Sequence, residues 1–158
     1  MAAQVLINLL RKRKILDKFS VDSAATALQE EGKPMTQLAK ERLQAQGIET
    51  GTHLSAQLKR EDSEKYDWII CMSEENMRTC YEILGDRAVY VTPVDVKKVF
   101  ARDPASPISL SGLVKPRVCR LMDFTEKHCD IPTPLMSREY AVAFREILLG
   151  CTTLVELI

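Results

Sequence analysis

The sequence has 158 residues, enough for one domain with a real core, and its 46% hydrophobic content is ordinary for a globular chain. Lysine plus arginine and aspartate plus glutamate both number 22, so the zero net charge gives no electrostatic drive toward nucleic acid or an anionic membrane. No apolar stretch is long enough to span a bilayer and Met1 is not followed by a secretory pattern, so no membrane association is expected and the cytoplasm is the expected compartment.

In chain order, Ala2, Val5, Leu6, Leu9 and Leu10 fall on one face of an amphipathic helix. The basic run Arg11 to Lys14 reads as its solvated end, where cations suit the dipole. Phe19 to Ser23 reads as a strand. A second helix is expected from Pro34, with Met35, Leu38, Ala39 and Leu43 on its core side and Gly47 as its stop. The apolar run Trp68 to Met72 predicts a strand buried on both faces. Ser73 can cap the next helix, Glu74 and Glu75 suit its first turn, and Gly85 ends it. Ala88 to Val91 predicts a short strand and Val118 to Met122 another. Between them, Asp103 to Pro107 and Lys115-Pro116 are breaker signals. Tyr140, Phe144, Ile147, Leu148, Cys151, Leu154, Val155 and Ile158 form the stripe of a long final helix, with Ser137 as its expected N-cap.

Alternating strands and helices predict a parallel sheet in an α/β sandwich. The chain opens on a helix where such folds usually open on a strand. The five cysteines, Cys71, Cys80, Cys119, Cys129 and Cys151, are odd in number and lack C-x-x-C spacing. A disulfide framework or a zinc site is not expected, still less so with only His53 and His128 available. Reduced, small, buried thiols are the expected reading, and no cofactor is expected.

Several segments, in order, resemble the low-molecular-weight protein tyrosine phosphatase family. They are Val21 to Thr26; Gly47-Ile48 with His53 and Gln57-Leu58; Tyr66 to Arg78; Asp130 to Pro134; and the final helix. The resemblance implies a single domain over residues 1–158, with a three-layer α/β/α fold and a mostly parallel sheet. Residues 86–117 look inserted, and the first central strand is missing or replaced. Ala88 to Val91 is expected to fill that gap from within, the alternative being a strand from a second chain in a homodimer.

The family's chemistry is phosphotyrosine monoester hydrolysis through a cysteinyl phosphate. It needs backbone N–H groups and an arginine around the dianion, a cysteine thiolate, and a carboxylic acid for the leaving group. The cysteine and arginine share a C-x-x-x-x-x-R loop. Six residues after the five cysteines come Met77, Asp86, Thr125, Leu135 and Leu157, so no cysteine here can be the family nucleophile by motif. The resemblance places Thr133 at the general-acid position, Leu135 and Met136 at the positions of the aromatic pair, and Ser73 where an aspartate is common. His53 matches a histidine that braces the phosphate loop, and Ser23 a strand-end residue near it. For both, a structural role is favoured. Asp130 is expected to serve as a loop or cap residue, and Cys71 to pack in the core.

The leading expectation is therefore a family member without catalytic activity. A start assigned downstream of the loop is an alternative that an in-frame C-x-x-x-x-x-R-S in the upstream coding DNA would establish; the substitution at Thr133 counts against it. A non-catalytic binding or oligomerising module, with phosphotyrosine proteins as the partner class implied by the resemblance, is a further alternative. An unrelated α/β protein with a small-molecule pocket ranks last, since no glycine-rich nucleotide loop supports it.

Overall fold

The computed structural model describes residues 1–27, 31–102, 108–110, 113–134 and 137–158. Contacts divide the chain into two units. One comprises residues 1–57 and 131–156, the other residues 58–130 and 157–158.

In the first unit, helix α1 runs over Ala2–Lys12 and buries Val5 and Leu10, with Ala2, Leu6 and Leu9 half-buried. It packs on the long helix α5, Ser137–Glu156. The basic run is the solvated end expected of it: Arg11 pairs with Glu49 at 3.0 Å. Arg13 Nη1 donates to the Val155 carbonyl at 2.7 Å, satisfying a terminal group of α5. Phe144, Ile147, Cys151, Leu154 and Val155 of α5 are buried as the apolar stripe predicts, whereas Ile158 lies beyond the helix and is exposed. Ser137 is the first helical residue rather than the N-cap.

The expected strand over Phe19 to Ser23 is displaced. Leu16–Lys18 forms a 3-10 turn, and pairing starts only at β1, Ala24–Ala25. The Ser23 amide donates to its neighbour Asp22 Oδ1 at 2.8 Å, a local bond that withdraws it from a ladder. Strand β1 runs parallel to β2, Ala56–Gln57, with Ala24 opposite Ala56. Helix α2 spans Gln37–Gln44 and starts later than Pro34 suggests. Thr36 Oγ1 supplies the cap, accepting from the Ala39 amide at 3.3 Å, while Pro34 bridges to Leu54. Ala39 and Leu43, one turn apart, are buried; Leu38, expected in the core, lies off that line and is exposed. Gly47 closes the segment at φ 68°, a conformation that glycine adopts without a Cβ penalty.

In the second unit, β3 (Trp68–Cys71) leads through the Ser73 cap into α3 (Glu74–Leu84), which ends at Gly85. Strand β4 (Val89–Tyr90), helix α4 (Val96–Arg102), the antiparallel pair β5 (Ile108–Leu110) and β6 (Leu113–Lys115), and β7 (Arg117–Arg120) follow. Both β3 and β4 run parallel to β7, in the order β3-β7-β4. The strand expected at Val118 to Met122 starts and stops earlier. Asp123 Oδ2 accepts the Arg120 amide at 3.0 Å and turns Leu121–Phe124 into a 3-10 helix. Its core joins Leu84, Val96, Val118, Cys119, Met122 and Phe124. Phe100 meets Trp68 and Phe124 edge to face at 5.1 Å, and Trp68 and Phe124 make a tilted contact at 6.1 Å between ring centroids.

The topology overturns two expectations. Trp68, Ile69 and Ile70 are only half-buried, and of the four strand residues Cys71 alone is buried, because among the described residues β3 lies at the edge of its sheet. Val89–Tyr90 does pair in a sheet, but on the side of β7 away from β3. It therefore does not lie beside β3, whose other edge carries no strand among the described residues. Hydrogen bonds from the Val89 and Val91 amides to Pro116 and Val118 hold it on β7.

Candidate functional site

Parallel pairing of β1 with β2 brings together the residues that enter those strands. Ser23 immediately precedes β1, and His53 lies three residues before β2. Ser23 Oγ sits 3.1 Å from His53 Nε2, and His53 Nδ1 sits 3.9 Å from Asp22 Oδ1. The first contact is a hydrogen bond and the second is too long for one. The imidazole remains about 38% exposed and the Asp22 carboxylate 52%. Such a contact orients an imidazole. Activating the serine as a nucleophile would need a third group held on Nδ1 within hydrogen-bond range, which Asp22 does not provide in this geometry.

In the second unit the polar residues gather around the start of α3. Ser73 Oγ accepts from the Asn76 amide at 3.2 Å, as an N-cap should. Asp130 Oδ1 accepts from the Glu74 amide at 3.0 Å and from Arg120 Nη1 at 3.0 Å. Asp130 thus has the cap duty expected of it. The positive end of α3 already faces a carboxylate of its own unit. Arg120 also grips Asp123 Oδ1 at 2.9 Å and donates to the His128 carbonyl at 3.2 Å. Its guanidinium is therefore committed. Sequence reasoning missed this hub; the signal was an Arg-x-x-Asp spacing directly after an apolar strand.

Thr133 is exposed in the first unit. It lines an open cleft of about 280 Å³ with Pro132, Arg138, Glu139 and Val142. Neither Ser23 nor His53 belongs to that lining. Leu135 and Met136 lie outside the described residues.

All five cysteines carry free thiols, four of them buried. The hydrogen bond with Cys80, together with burial, pushes the Cys71 thiol up. The same bond holds Cys80 down against the opposing effect of burial. Burial raises Cys119 well above its ordinary value and Cys151 to about 12. Cys71 is thus a core thiol, as expected, and its polar neighbour is another thiol rather than a cation. Among the described residues no three His, Cys, Asp or Glu side chains converge to hold a metal ion, and no helix is long and apolar enough to cross a membrane.

Comparison with known proteins agrees with this architecture. Residues 1–100 match the family model described as low molecular weight phosphotyrosine protein phosphatase. The chain is 34% identical over 77 residues to the protein of that name from Gallus gallus, covering 49% of this chain and 48% of the relative. It spans about half the length of the curated relatives it matches. Among solved structures, YfkJ from Bacillus subtilis superposes with a TM-score of 0.74 at 23% identity, covering 98% of this chain and 82% of the other. A protein tyrosine phosphatase from Entamoeba histolytica gives 0.74 at 16% identity, covering 98% and 85%. These likenesses show the fold, an α/β/α arrangement with parallel strands.

Proposed function

The chain belongs to the low molecular weight phosphotyrosine protein phosphatase family, and from that premise we propose that these 158 residues keep the family's scaffold without its phosphate-ester chemistry. One observation carries the reading: no cysteine in the sequence is followed six residues later by arginine. A phosphoryl dianion needs both that thiolate and that guanidinium, and removing one member of such a unit already forfeits most of the rate. The residues remaining at matched positions fit structural duties. Ser23 and His53 hydrogen-bond to each other, and Ser73 caps a helix. The proposed acid position, Thr133, holds a hydroxyl far too weak to protonate a leaving phenolate.

Purified 158-residue chain is expected to release no phosphate from p-nitrophenyl phosphate above a buffer control. Turnover that co-elutes with the protein through two chromatographic steps would overturn the proposal. A longer product of the same coding region that carries a C-x-x-x-x-x-R loop and turns over substrate would assign the activity to that product.

The β3 edge favours a second reading, in which the unit accepts a strand from another chain. Trp68, Ile69 and Ile70 are half-buried, and their edge away from β7 has no strand among the described residues. Light scattering coupled to size exclusion tests it. A homodimer that dissociates on Ile69→Pro supports strand addition, and a monomer across the accessible concentration range removes homodimerisation. On the chain's family membership, phosphotyrosine proteins are the proposed partner class, to be probed with a fluorescent phosphotyrosine peptide.

A further inference from the structure

The core of the second unit contains a pair of thiols in contact. Cys71 Sγ lies 3.6 Å from Cys80 Sγ. Cys71 ends β3 and Cys80 sits in the middle of α3, so the pair spans the turn that carries the Ser73 cap. The two residues are 5% and 1% exposed and belong to one cluster with Leu58, Leu84 and Val118. A disulfide has its sulfurs about 2.05 Å apart, so closing this one asks the sulfurs to approach by about 1.5 Å. That is within the reach of side-chain rotation and small backbone adjustment. Tyr90 packs against the same cluster, and its buried hydroxyl has no hydrogen-bond partner among the described residues. An unused donor therefore packs on the thiol cluster.

We propose that Cys71 and Cys80 form an oxidisable dithiol, closed to an intramolecular disulfide by hydrogen peroxide and reopened by a dithiol reductant. The oxidant must be small and uncharged, because the pair is nearly sealed from solvent; peroxide is close to water in size. Either thiol can be the donor in this contact; with Cys71 S–H donating, the bond favours the Cys80 thiolate and makes Cys80 the attacking sulfur. Its lone pair forms an S–O bond to one peroxide oxygen, and the O–O bond breaks. The departing hydroxide takes up the proton that the thiol released, giving water and a sulfenic acid on Cys80. The Cys71 sulfur then attacks the Cys80 sulfur. An S–S bond forms, the S–O bond breaks, and the leaving hydroxide removes the Cys71 proton as a second water. Two thiols lose two electrons and one peroxide gains them. The product ties the end of β3 to α3 by a covalent bond in place of the thiol–thiol hydrogen bond.

Trypsin makes the test direct, because each cysteine falls in its own peptide. Cys71 lies in Tyr66–Arg78, Cys80 in Thr79–Arg87, Cys119 in Val118–Arg120, Cys129 in His128–Arg138 and Cys151 in Glu146–Ile158. The folded 158-residue chain is exposed to peroxide at neutral pH, quenched with a thiol-alkylating reagent, digested and mapped. The expected result is loss of two hydrogen masses from the intact chain and a crosslinked Tyr66–Arg78/Thr79–Arg87 peptide. Dithiothreitol should restore both free peptides. Cys80→Ser should abolish the crosslink, and the wild-type map stands on its own if that variant fails to fold. A crosslink to Cys119, Cys129 or Cys151 instead, over-oxidation of Cys80 without a crosslink, or formation only when urea is present would each overturn the assignment.

Discussion

The hydroxyl of Ser23 lies 3.1 Å from Nε2 of His53, although thirty residues separate them in the chain. The contact exists because β1 and β2 run parallel with Ala24 opposite Ala56. It is a polar clasp at the entrance to the strand pair, in a chain whose sequence has no cysteine followed six residues later by arginine.

That clasp has a measurable signature. Ser23→Ala removes the partner of Nε2, so the His53 ring nitrogens should shift in long-range proton–nitrogen spectra. Ser23→Thr, which keeps the hydroxyl, should leave them near the wild-type positions. Because the groups are solvent-exposed, the stability cost of Ser23→Ala should be at the lower end of about 0.5–1.5 kcal/mol. Ring nitrogen shifts that do not move in Ser23→Ala would show that the contact is not made in solution.

The Arg120–Asp123 pair should be far more costly to break. Asp123 is 1% exposed and the Arg120 side chain 15%, and Arg120 also holds Asp130, which caps α3. Arg120→Met leaves a buried carboxylate without its guanidinium and should destabilise the second unit by about 3–5 kcal/mol in urea titration. The double variant Arg120→Met/Asp123→Leu should recover part of that loss, because no buried charge then remains unpaired. A loss below about 1 kcal/mol for Arg120→Met would mean that solvent screens the pair as it does an exposed ion pair.

Buried thiols should make the fold sensitive to alkali. Burial raises the Cys151 thiol from an ordinary 9.0 to about 12, and Cys71, Cys119 and Tyr90 are raised as well, while Cys80 is lowered. Below pH 9 a raised thiol is protonated in both states, and its contribution to stability is fully present. As pH climbs from about 9 towards 12 the unfolded chain ionises first, the native state holds more protons, and stability falls. Each raised thiol contributes a slope of at most about 1.4 kcal/mol per pH unit. Cys151→Ala should flatten the pH dependence of urea stability over this window, whatever it costs in packing at neutral pH. An unchanged slope would mean that this thiol ionises alike in both states.

What could be read from the sequence alone were features coded by neighbours in the chain. The α1 and α5 stripes follow from apolar residues three and four apart, and buried Val5, Leu10, Phe144, Ile147 and Cys151 bear them out. Ser73 as an N-cap and Gly85 as a stop are equally local. The absence of any cysteine with arginine six residues on is a property of spacing that no fold can alter. Local coding reached its limit where a long-range partner decides. A run such as Trp68–Cys71 reads alike as a central or an edge strand, and its single ladder among the described residues, the one to β7, makes it an edge there. The side of β7 on which Val89–Tyr90 docks and the meeting of Ser23 with His53 depend on how distant segments return to one another. Those choices are made by packing and ladder register, which the spacing of residues along one segment does not contain.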